Sequence, residues 1–411
     1  MIHYMTSVGI GQPWVGNELR IVQKAGVPFV LHAMRAPDEV HFSSDWASRI
    51  NAQTRVLYPL PPIGFLVSLL AAPFLFRGRF FAALGNALFG KRESLRQRVA
   101  ALWHFLVACH WARGMRHEPV SHIHSQWIHS NGTIAMCGAW LLGRSCSFTG
   151  HAADIFRNRV ALEDKIRRAD FIICISTFHR DYFKKLGARD EQLVIAYCGI
   201  DTTLFTPPAY EPRRDGPVHI LSSGRLVEKK GFEYLIDACK ALADRGLDLK
   251  CTIAGSGPLD QALRARIEAH GLTDRVTVTG EPINQEDIPA FMHSGDLYAL
   301  PCVWASDDDV DGLPQMLMEA MACEVPAIST RLVGIPDLVI HEKTGLLVEP
   351  RTVDELADAI ERLANDGELA KRLAAAGRDF VREKFDLDVS LNPLIQKYRE
   401  KLAAAGAATP G

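Results

Sequence analysis

Two carboxylates eight residues apart, Asp311 and Glu319, bracket the run Val310-Asp-Gly-Leu-Pro-Gln-Met-Leu-Met-Glu-Ala-Met-Ala-Cys323. Gly312 and Pro314 mark a loop that turns into a helix, because a proline in the first helical turn gives up an N–H that would have no partner there. The spacing predicts a helix from about Leu313, with Leu313, Met316, Leu317, Ala320 and Met321 on one apolar stripe and Glu319 off it. The open N–H groups and positive dipole end at Gly312 and Leu313 suit a phosphate or sugar hydroxyls, with Asp311 at the mouth. The plainer alternative makes Asp311 a cap and Glu319 a solvated helix residue.

Two other loops carry related chemistry. Ser222-Ser-Gly-Arg-Leu-Val-Glu-Lys-Lys-Gly231 leaves an apolar run and places Arg225 and Lys230 beside a helix start. Gly255-Ser-Gly-Pro258 leaves the next run as a glycine loop, where Gly255 and Gly257 let backbone approach a ligand closely. Two cations, a glycine loop and a helix start at one sheet edge would hold a diphosphate. Each feature alone also reads as ordinary surface. The Asp307-Asp308-Asp309 run reads as a solvated acidic loop, and no metal site is expected.

An α/β scaffold must position these loops. In the second half, apolar runs at 218–223, 249–254, 275–279, 297–301 and 325–329 alternate with helical patterns at 231–245, 259–270, 286–294 and 313–323. Runs at 27–33, 121–124, 145–149, 171–176 and 193–197, with a long helix over 93–116, repeat the alternation in the first half. Strands alternating with helices predict parallel sheets covered on both faces. We therefore expect two doubly wound Rossmann-like domains facing across a cleft: 1–205, then a proline-rich linker at 206–217, then 218–384. Residues 385–411 would form a last helix and tail that cross back to the first domain. A chain of 411 residues is long enough for two cores.

A net charge of −2 gives no reason to expect nucleic acid as a partner. Nine cysteines without a C-x-x-C pair, and an N-terminus without a secretion signal, point to the cytoplasm. One stretch stands apart. No charged residue lies between Arg55 and Arg77, a length that could span a bilayer, but Pro59, Pro61, Pro62 and Pro73 oppose a straight spanning helix. Downstream, Arg77, Arg79, Lys91, Arg92, Arg96 and Arg98 surround apolar residues such as Phe80, Phe81 and Phe89. This arm, about 56–98, either lies in a membrane interface or packs on its own domain.

The motifs Gly-Arg-Leu-Val-Glu-Lys-Lys-Gly-Phe at 224–232, Ala-Gly-Ser-Gly-Pro at 254–258, Asp-Gly-Leu-Pro with Met-Glu-Ala-Met-Ala at 311–322 and Thr-Gly-Leu-Leu-Val at 344–348 resemble the retaining glycosyltransferases of family 4, of GT-B fold. In the first half, Asn17-Glu18, His122-Ile-His124 and Phe148-Thr-Gly-His-Ala-Ala-Asp-Ile-Phe156 resemble the family's exopolysaccharide and colanic-acid branch. The resemblance implies that Arg225 and Lys230, with the backbone at Gly312 and Leu313, bind the donor diphosphate. It implies that Glu319 holds the ribose hydroxyls and that Asp311, where the family usually has Glu, lies near the donor sugar. The catalytic set would be His151, Asp311 and Glu319, with Gly255 and Gly257 in the nucleotide site and His124, Asn17 and Asp154 as further contacts to donor or acceptor. A histidine ending a strand is more often packed, and Asp154 could equally cap a turn. The implied reaction moves a sugar from a UDP- or GDP-sugar to a growing, lipid-linked glycan at the inner face of the cell membrane, without metal or other cofactor. The alternatives are an epimerase or phosphorylase of the same fold, a dinucleotide oxidoreductase, for which Gly9-Ile-Gly11 lacks the needed spacing, and a non-catalytic binding protein.

Overall fold

The computed structural model describes residues 1–37, 45–157, 159–207 and 216–407. Most of the expected linker, 208–215, and the tail 408–411 lie outside the described residues. The chain divides into two units, Met1–Tyr197 with Leu391–Gly411, and Cys198–Ser390.

The first unit runs β1 (Ile2–Thr6), α1 (Pro13–Lys24), β2 (Phe29–Ala33), α2 (Asp45–Gln53), β3 (Arg55–Val56), α3 (Pro62–Phe76), α4 (Gly78–Phe89), α5 (Leu95–Met115), β4 (His122–Gln126), α6 (Ser130–Leu142), β5 (Ser145–Gly150), α7 (Leu162–Arg168), β6 (Phe171–Cys174), α8 (Thr177–Lys185) and β7 (Leu193–Ile195). Its strands form one parallel sheet in the order β3-β2-β1-β4-β5-β6-β7. β1 is a central strand that the sequence reading did not assign. All five of its residues are buried, and three of them, His3, Tyr4 and Thr6, carry polar atoms. That polarity hides the apolar run expected of a strand with both faces covered.

The second unit runs β8 (Val218–Ser223), α9 (Phe232–Asp244), β9 (Leu249–Ala254), α10 (Asp260–Ala269), β10 (Val276–Val278), α11 (Ile288–His293), β11 (Leu297–Leu300), α12 (Gln315–Ala322), β12 (Ala327–Thr330), α13 (Ile335–Leu338), β13 (Leu346–Val348), α14 (Val353–Asn365), α15 (Gly367–Lys384) and α16 (Leu387–Ser390). This sheet is also parallel, in the order β10-β9-β8-β11-β12-β13. The chain reverses direction across the sheet between β8 and β11. In open α/β sheets, ligands bind beyond the carboxyl ends of the strands at such a switch point.

The boundary between the units lies earlier than the expected 205. Residues 198–206 pack with the second unit: Ile200 donates its N–H to Phe385 O at 2.9 Å, and the Thr202 hydroxyl bonds the Asp386 carboxylate at 2.6 Å. The final helix is also divided. α16 stays with the second unit, and Pro393 sits in the first turn of α17 (Asn392–Ala407), where a missing N–H costs nothing. α17 packs in the first unit, with Tyr398 buried against His124 at 5.5 Å between ring centres.

Candidate active site

The loops after β8 and β11 flank the switch point and are tied together by backbone. Val303 N–H donates to Lys229 O at 2.9 Å, and a Cβ on Gly231, whose φ is +68°, would lie 1.9 Å from Pro301 O. This close approach carries both lysines to the second loop. Lys230 Nζ lies 2.6 Å from Asp311 Oδ2, and Lys229 Nζ lies 3.1 Å from Asp311 Oδ1 and 3.2 Å from Asp309. The Lys230 side chain is 13% exposed. Burial disfavours its charge, but Asp311 outweighs this and raises it above the usual lysine range. Burial likewise works against the Asp311 carboxylate, while Lys230 and then Lys229 hold it below the usual range. The pair is therefore ionised at neutral pH. Lys229 is a partner for Asp311 that sequence reasoning missed. The adjacent Lys-Lys was its only signal.

Below the loops, hydroxyls at the strand ends bond neighbouring strand carbonyls and fix where the loops begin. Ser222 bonds Ala299 O, Ser329 bonds Leu300 O and Thr330 bonds Cys302 O, each at 2.6 Å. The buried Tyr298 hydroxyl meets Ser223 Oγ at 3.0 Å. The glycine loop after β9 joins the same edge, since Leu226 N–H donates to Ser256 O at 2.9 Å and Leu259 N–H to Leu226 O at 3.1 Å. Gly255 has φ +150°, and a Cβ there would lie 1.9 Å from Gly224 O. Gly255→Ala is therefore expected to cost about 3 kcal/mol, from overpacking and an unfavourable φ together. A urea melt checks this, with an unchanged midpoint as the contrary result.

α12 begins at Gln315, later than the expected Leu313, because Pro314 has an extended ψ of 118°. Gly312 and Leu313 thus lie in the loop ahead of the helix and are buried, and the Gly312 carbonyl accepts from Gly334 N–H at 3.1 Å. Glu319 is not solvated. It is 7% exposed, and its Oε2 is buried without a hydrogen-bond partner. Burial pushes its carboxyl up to about 7, against the pull of Lys230. An unpartnered buried carboxyl oxygen is costly unless a ligand satisfies it. Arg225 is exposed, and its side chain makes no hydrogen bond or ion pair among the described residues, while its carbonyl accepts from Val227 N–H at 2.8 Å. Its neighbour Gly224 lies against the Lys230 stem. The Asp307–Asp309 run closes a turn, with Ala305 N–H donating to Asp309 O at 2.9 Å and Asp308 N–H to Ala305 O at 3.1 Å.

In the first unit, His151 directly follows β5. Its ring lies 4.4 Å from that of Trp127 and 6.1 Å from that of Trp14. Burial, then His179 and His129, push it down to about 3, so the imidazole is neutral. Asp154 is a turn clamp: Oδ1 accepts from His151 N–H and Ala152 N–H, both at 3.0 Å, and Oδ2 from Ile128 N–H at 2.8 Å. His124 is likewise structural, because Ser147 and Thr149 hydroxyls occupy its two ring nitrogens at 2.8 and 3.1 Å. Asn17 is buried in α1. Sequence reasoning missed Lys165, which a helical pattern would place at the surface. Its buried ammonium donates to the carbonyls of Ile128, His129 (2.7 Å) and Val160, and so anchors the loop after β4.

Eight histidines of this unit, His3, His32, His104, His122, His124, His129, His151 and His179, are held by burial well below their ordinary range. Burial raises Glu18 to about 7 and Asp154 to about 6. Below pH 6.5 the unfolded chain protonates its histidines and the folded chain does not, so stability falls with pH. The two carboxyls oppose this, because the folded state holds their protons first. The eight histidines outnumber the two carboxyls, so the unfolded chain binds more protons and stability falls as pH drops below about 6. Six of the seven tryptophans lie in this unit and only Trp304 in the other, so tryptophan fluorescence should report acid unfolding ahead of the far-ultraviolet signal. Coincident transitions near pH 3 would contradict it.

Residues 208–380 match the model "Glycosyl transferases group 1", and residues 88–204 match "Glycosyltransferase Family 4". The chain is 35% identical over 238 residues to the protein named as colanic acid biosynthesis glycosyltransferase WcaL of Escherichia coli, covering 57% of this chain and 53% of that one. It is 30% identical over 253 residues to the amylovoran biosynthesis glycosyltransferase AmsK of Erwinia amylovora, covering 60% and 61%. It is 32% identical over 227 residues to a GDP-mannose-dependent phosphatidylinositol monomannoside mannosyltransferase of Mycobacterium tuberculosis, covering 53% and 59%. The chain thus spans between about half and three fifths of the length of these curated relatives. Among solved structures, Anabaena HepE in complex with UDP matches 98% of this chain and 99% of its own, with a TM-score of 0.70 at 18% identity, a likeness of fold. With both halves matched by family models and two Rossmann-like units in one chain, the protein belongs to glycosyltransferase family 4 and has the GT-B fold.

Proposed function

We propose that this protein is a retaining glycosyltransferase that takes a UDP- or GDP-sugar and extends a polysaccharide or glycolipid acceptor. The observation that carries the reading is one sheet edge that joins the Lys230–Asp311–Lys229 cluster to a buried carboxyl, Glu319, with an unsatisfied oxygen. In the reaction, the sugar C1–O bond to phosphate breaks, a C1–O bond to the acceptor hydroxyl forms, and the hydroxyl proton is released. Negative charge collects on the departing diphosphate, and preorganised charge stabilises it where it develops. Lys230 and Arg225, with the backbone at Gly312 and Leu313, serve that end. The Glu319 carboxylate accepts from ribose hydroxyls, Gly255 and Gly257 admit the nucleotide, and Asp311 faces the donor sugar. A neutral His151 acts as a hydrogen-bonding group and not as a cation. With the leaving group neutralised by side chains, no metal is required, in contrast to transferases that bind the diphosphate through a divalent ion.

Relatives named for colanic acid, amylovoran and phosphatidylinositol monomannoside support an exopolysaccharide or glycolipid acceptor, and the enzyme is proposed to act at the inner face of the membrane. The test is a panel of UDP- and GDP-sugars with purified protein, read by binding and by nucleoside diphosphate release. At least one donor is expected to bind and turn over at a rate unaffected by a chelator, with the product anomer, read by NMR, matching the donor. No binding and no hydrolysis with any common donor would overturn the proposal.

A further inference from the structure

The arm that follows β3 exposes large apolar side chains. On α3 the outward stripe is Ile63, Leu66, Val67, Leu70 and Phe74, at helical spacing, and Phe74 is 81% exposed. The inner side carries one polar residue among apolar ones: Ser68 is fully buried beside Ala72 and Phe76 and bonds Gly64 O at 2.7 Å and His110 Nδ1 at 2.9 Å, and Arg113 reaches it at 3.2 Å. α3 is thus apolar on both sides, whereas the outward side of a helix in water is ordinarily polar. α4 continues the pattern with Phe81 and Phe89, the latter 82% exposed, and α5 with Leu95, Val99 and Trp103. The three helices pack together through Phe65 on Trp103 at 5.7 Å and Phe80 on Phe105 at 5.4 Å. Phe80 is therefore partly core, and Phe81 is the exposed member of that pair. No single helix among the described residues is long and apolar enough to cross a membrane, and α3 and α4 meet at 117°.

The charge around this face is one-sided. Residues 57–116 hold eight Lys and Arg and a single acid, Glu93, in a chain that is otherwise nearly balanced. Glu93 is already used by the N–H groups of Ala161 and Leu162 at 3.0 and 2.9 Å. Where α4 begins and α6 and α7 end, Arg79, Arg144, Arg167 and Arg168 line a cavity of about 470 Å³ together with Trp140. The Arg168 guanidinium stands 3.4 Å over the Trp140 ring, and Arg79 packs on the backbone of Gly143. Arg167 is paired with Asp164, but Arg79, Arg144 and Arg168 have no hydrogen-bonded carboxylate among the described residues. Asp164 offsets part of the charge at Arg168, but three guanidiniums around one cavity still favour a further anion. A second copy of this chain on the same face would set like charges against each other, whereas an anionic bilayer complements them.

We propose that the α3–α5 face docks on an anionic bilayer, its apolar stripes entering the interface and the arginine cavity taking a lipid phosphate. This rests on the reading that the acceptor is at a membrane, and its test reads binding and not transfer. The full chain is sedimented with phosphatidylcholine vesicles, with and without about a third phosphatidylglycerol. The wild type sediments with the anionic vesicles at least about tenfold more tightly than with the neutral ones, and millimolar inorganic phosphate does not release it. Phe74→Ser with Phe89→Ser lowers binding to anionic vesicles at least about tenfold, since both side chains are already in water and their loss leaves the thermal melt unchanged. Arg79→Glu with Arg144→Glu removes the preference for anionic lipid and leaves a weak adsorption common to both vesicles. Wild type that stays in solution overturns the proposal, as do variants that sediment like wild type, release by free phosphate alone, or a dimer that the Phe74/Phe89 variant dissociates. Nucleotide-sugar binding measured on the same preparations separates the readings: vesicle binding without donor binding sinks only the transferase, and donor binding without vesicle binding sinks only the docking face.

Discussion

Lys230→Met lowers kcat/KM for the nucleotide-sugar donor by about 10²–10³-fold, the usual loss when one preorganised charge is removed from a developing anion. The effect on folding is separable. Lys230 and Asp311 are a largely buried pair at 2.6 Å, and breaking such a pair leaves a charge without its partner. Lys229 remains 3.1 Å from the other Asp311 oxygen, so the destabilisation is held to about 3 kcal/mol, the low end for a buried pair. Adding Asp311→Asn removes the stranded carboxylate and restores most of the stability, but turnover stays low. A denaturant melt alongside steady-state kinetics on the single and double variants reads both quantities. Recovery of turnover in the double variant would show that Lys230 serves only to neutralise Asp311.

The second large effect concerns Glu319. Its folded-state carboxyl sits near 7, above its ordinary 4.5, because of burial. For stability the sign follows directly. The folded state keeps this proton between about pH 4.5 and 7 while the unfolded chain loses it, so the group's contribution falls as pH rises through that window. Glu319→Gln, which carries no charge, is therefore more stable than wild type at pH 8, by up to about 3 kcal/mol. Ligand affinity moves the other way. Ribose hydroxyls donate best to an ionised carboxylate, so wild-type affinity for a UDP- or GDP-sugar rises between pH 6 and 8, in a range where the donor's diphosphate diester carries no proton. The variant's affinity is flat with pH and weaker by about tenfold or more at pH 8, the worth of one or two charge-assisted hydrogen bonds. Calorimetric titration across that range checks this. Equal affinity and equal slopes for the two proteins would remove Glu319 from the nucleotide site.

How much of this was legible in the sequence depended on whether a signal was local. Much of the second sheet was readable because Gly224 and Gly255 directly follow strands whose runs are rich in apolar residues, although β13 was not expected as a strand. The start of α12 was read two residues early, since the ψ of Pro314 follows from the loop before it and not from its own ring. Glu319 lay off the apolar stripe and so read as a solvated residue in the plainer alternative. Its burial comes from tertiary packing: α15 brings Gly377 so near Met321 that a Cβ there would lie 3.3 Å from the Met321 methyl, and α12 is covered nearly all round. In the first sheet, polar residues at buried positions were the obstacle. His122, His124, Ser145, Ser147 and Thr149 satisfy one another across β4 and β5, a pairing set by strand register that no local pattern announces. The arm gave the reverse difficulty. Its composition was plain, but α3 is apolar all round, so no local pattern says which side faces outward; Ser68, Ala72 and Phe76 are its buried side through packing on α5.

The most direct test of the account is a structure of the protein with a nucleoside diphosphate bound. The diphosphate should lie beyond β8 and β11, its oxygens within hydrogen-bond distance of Lys230 Nζ, the Arg225 guanidinium and the N–H groups at Gly312 and Leu313, with the ribose on Glu319. A diphosphate bound with full occupancy anywhere else in the chain, leaving Lys230 paired only to Asp311 and the Glu319 oxygen still unsatisfied, would contradict it.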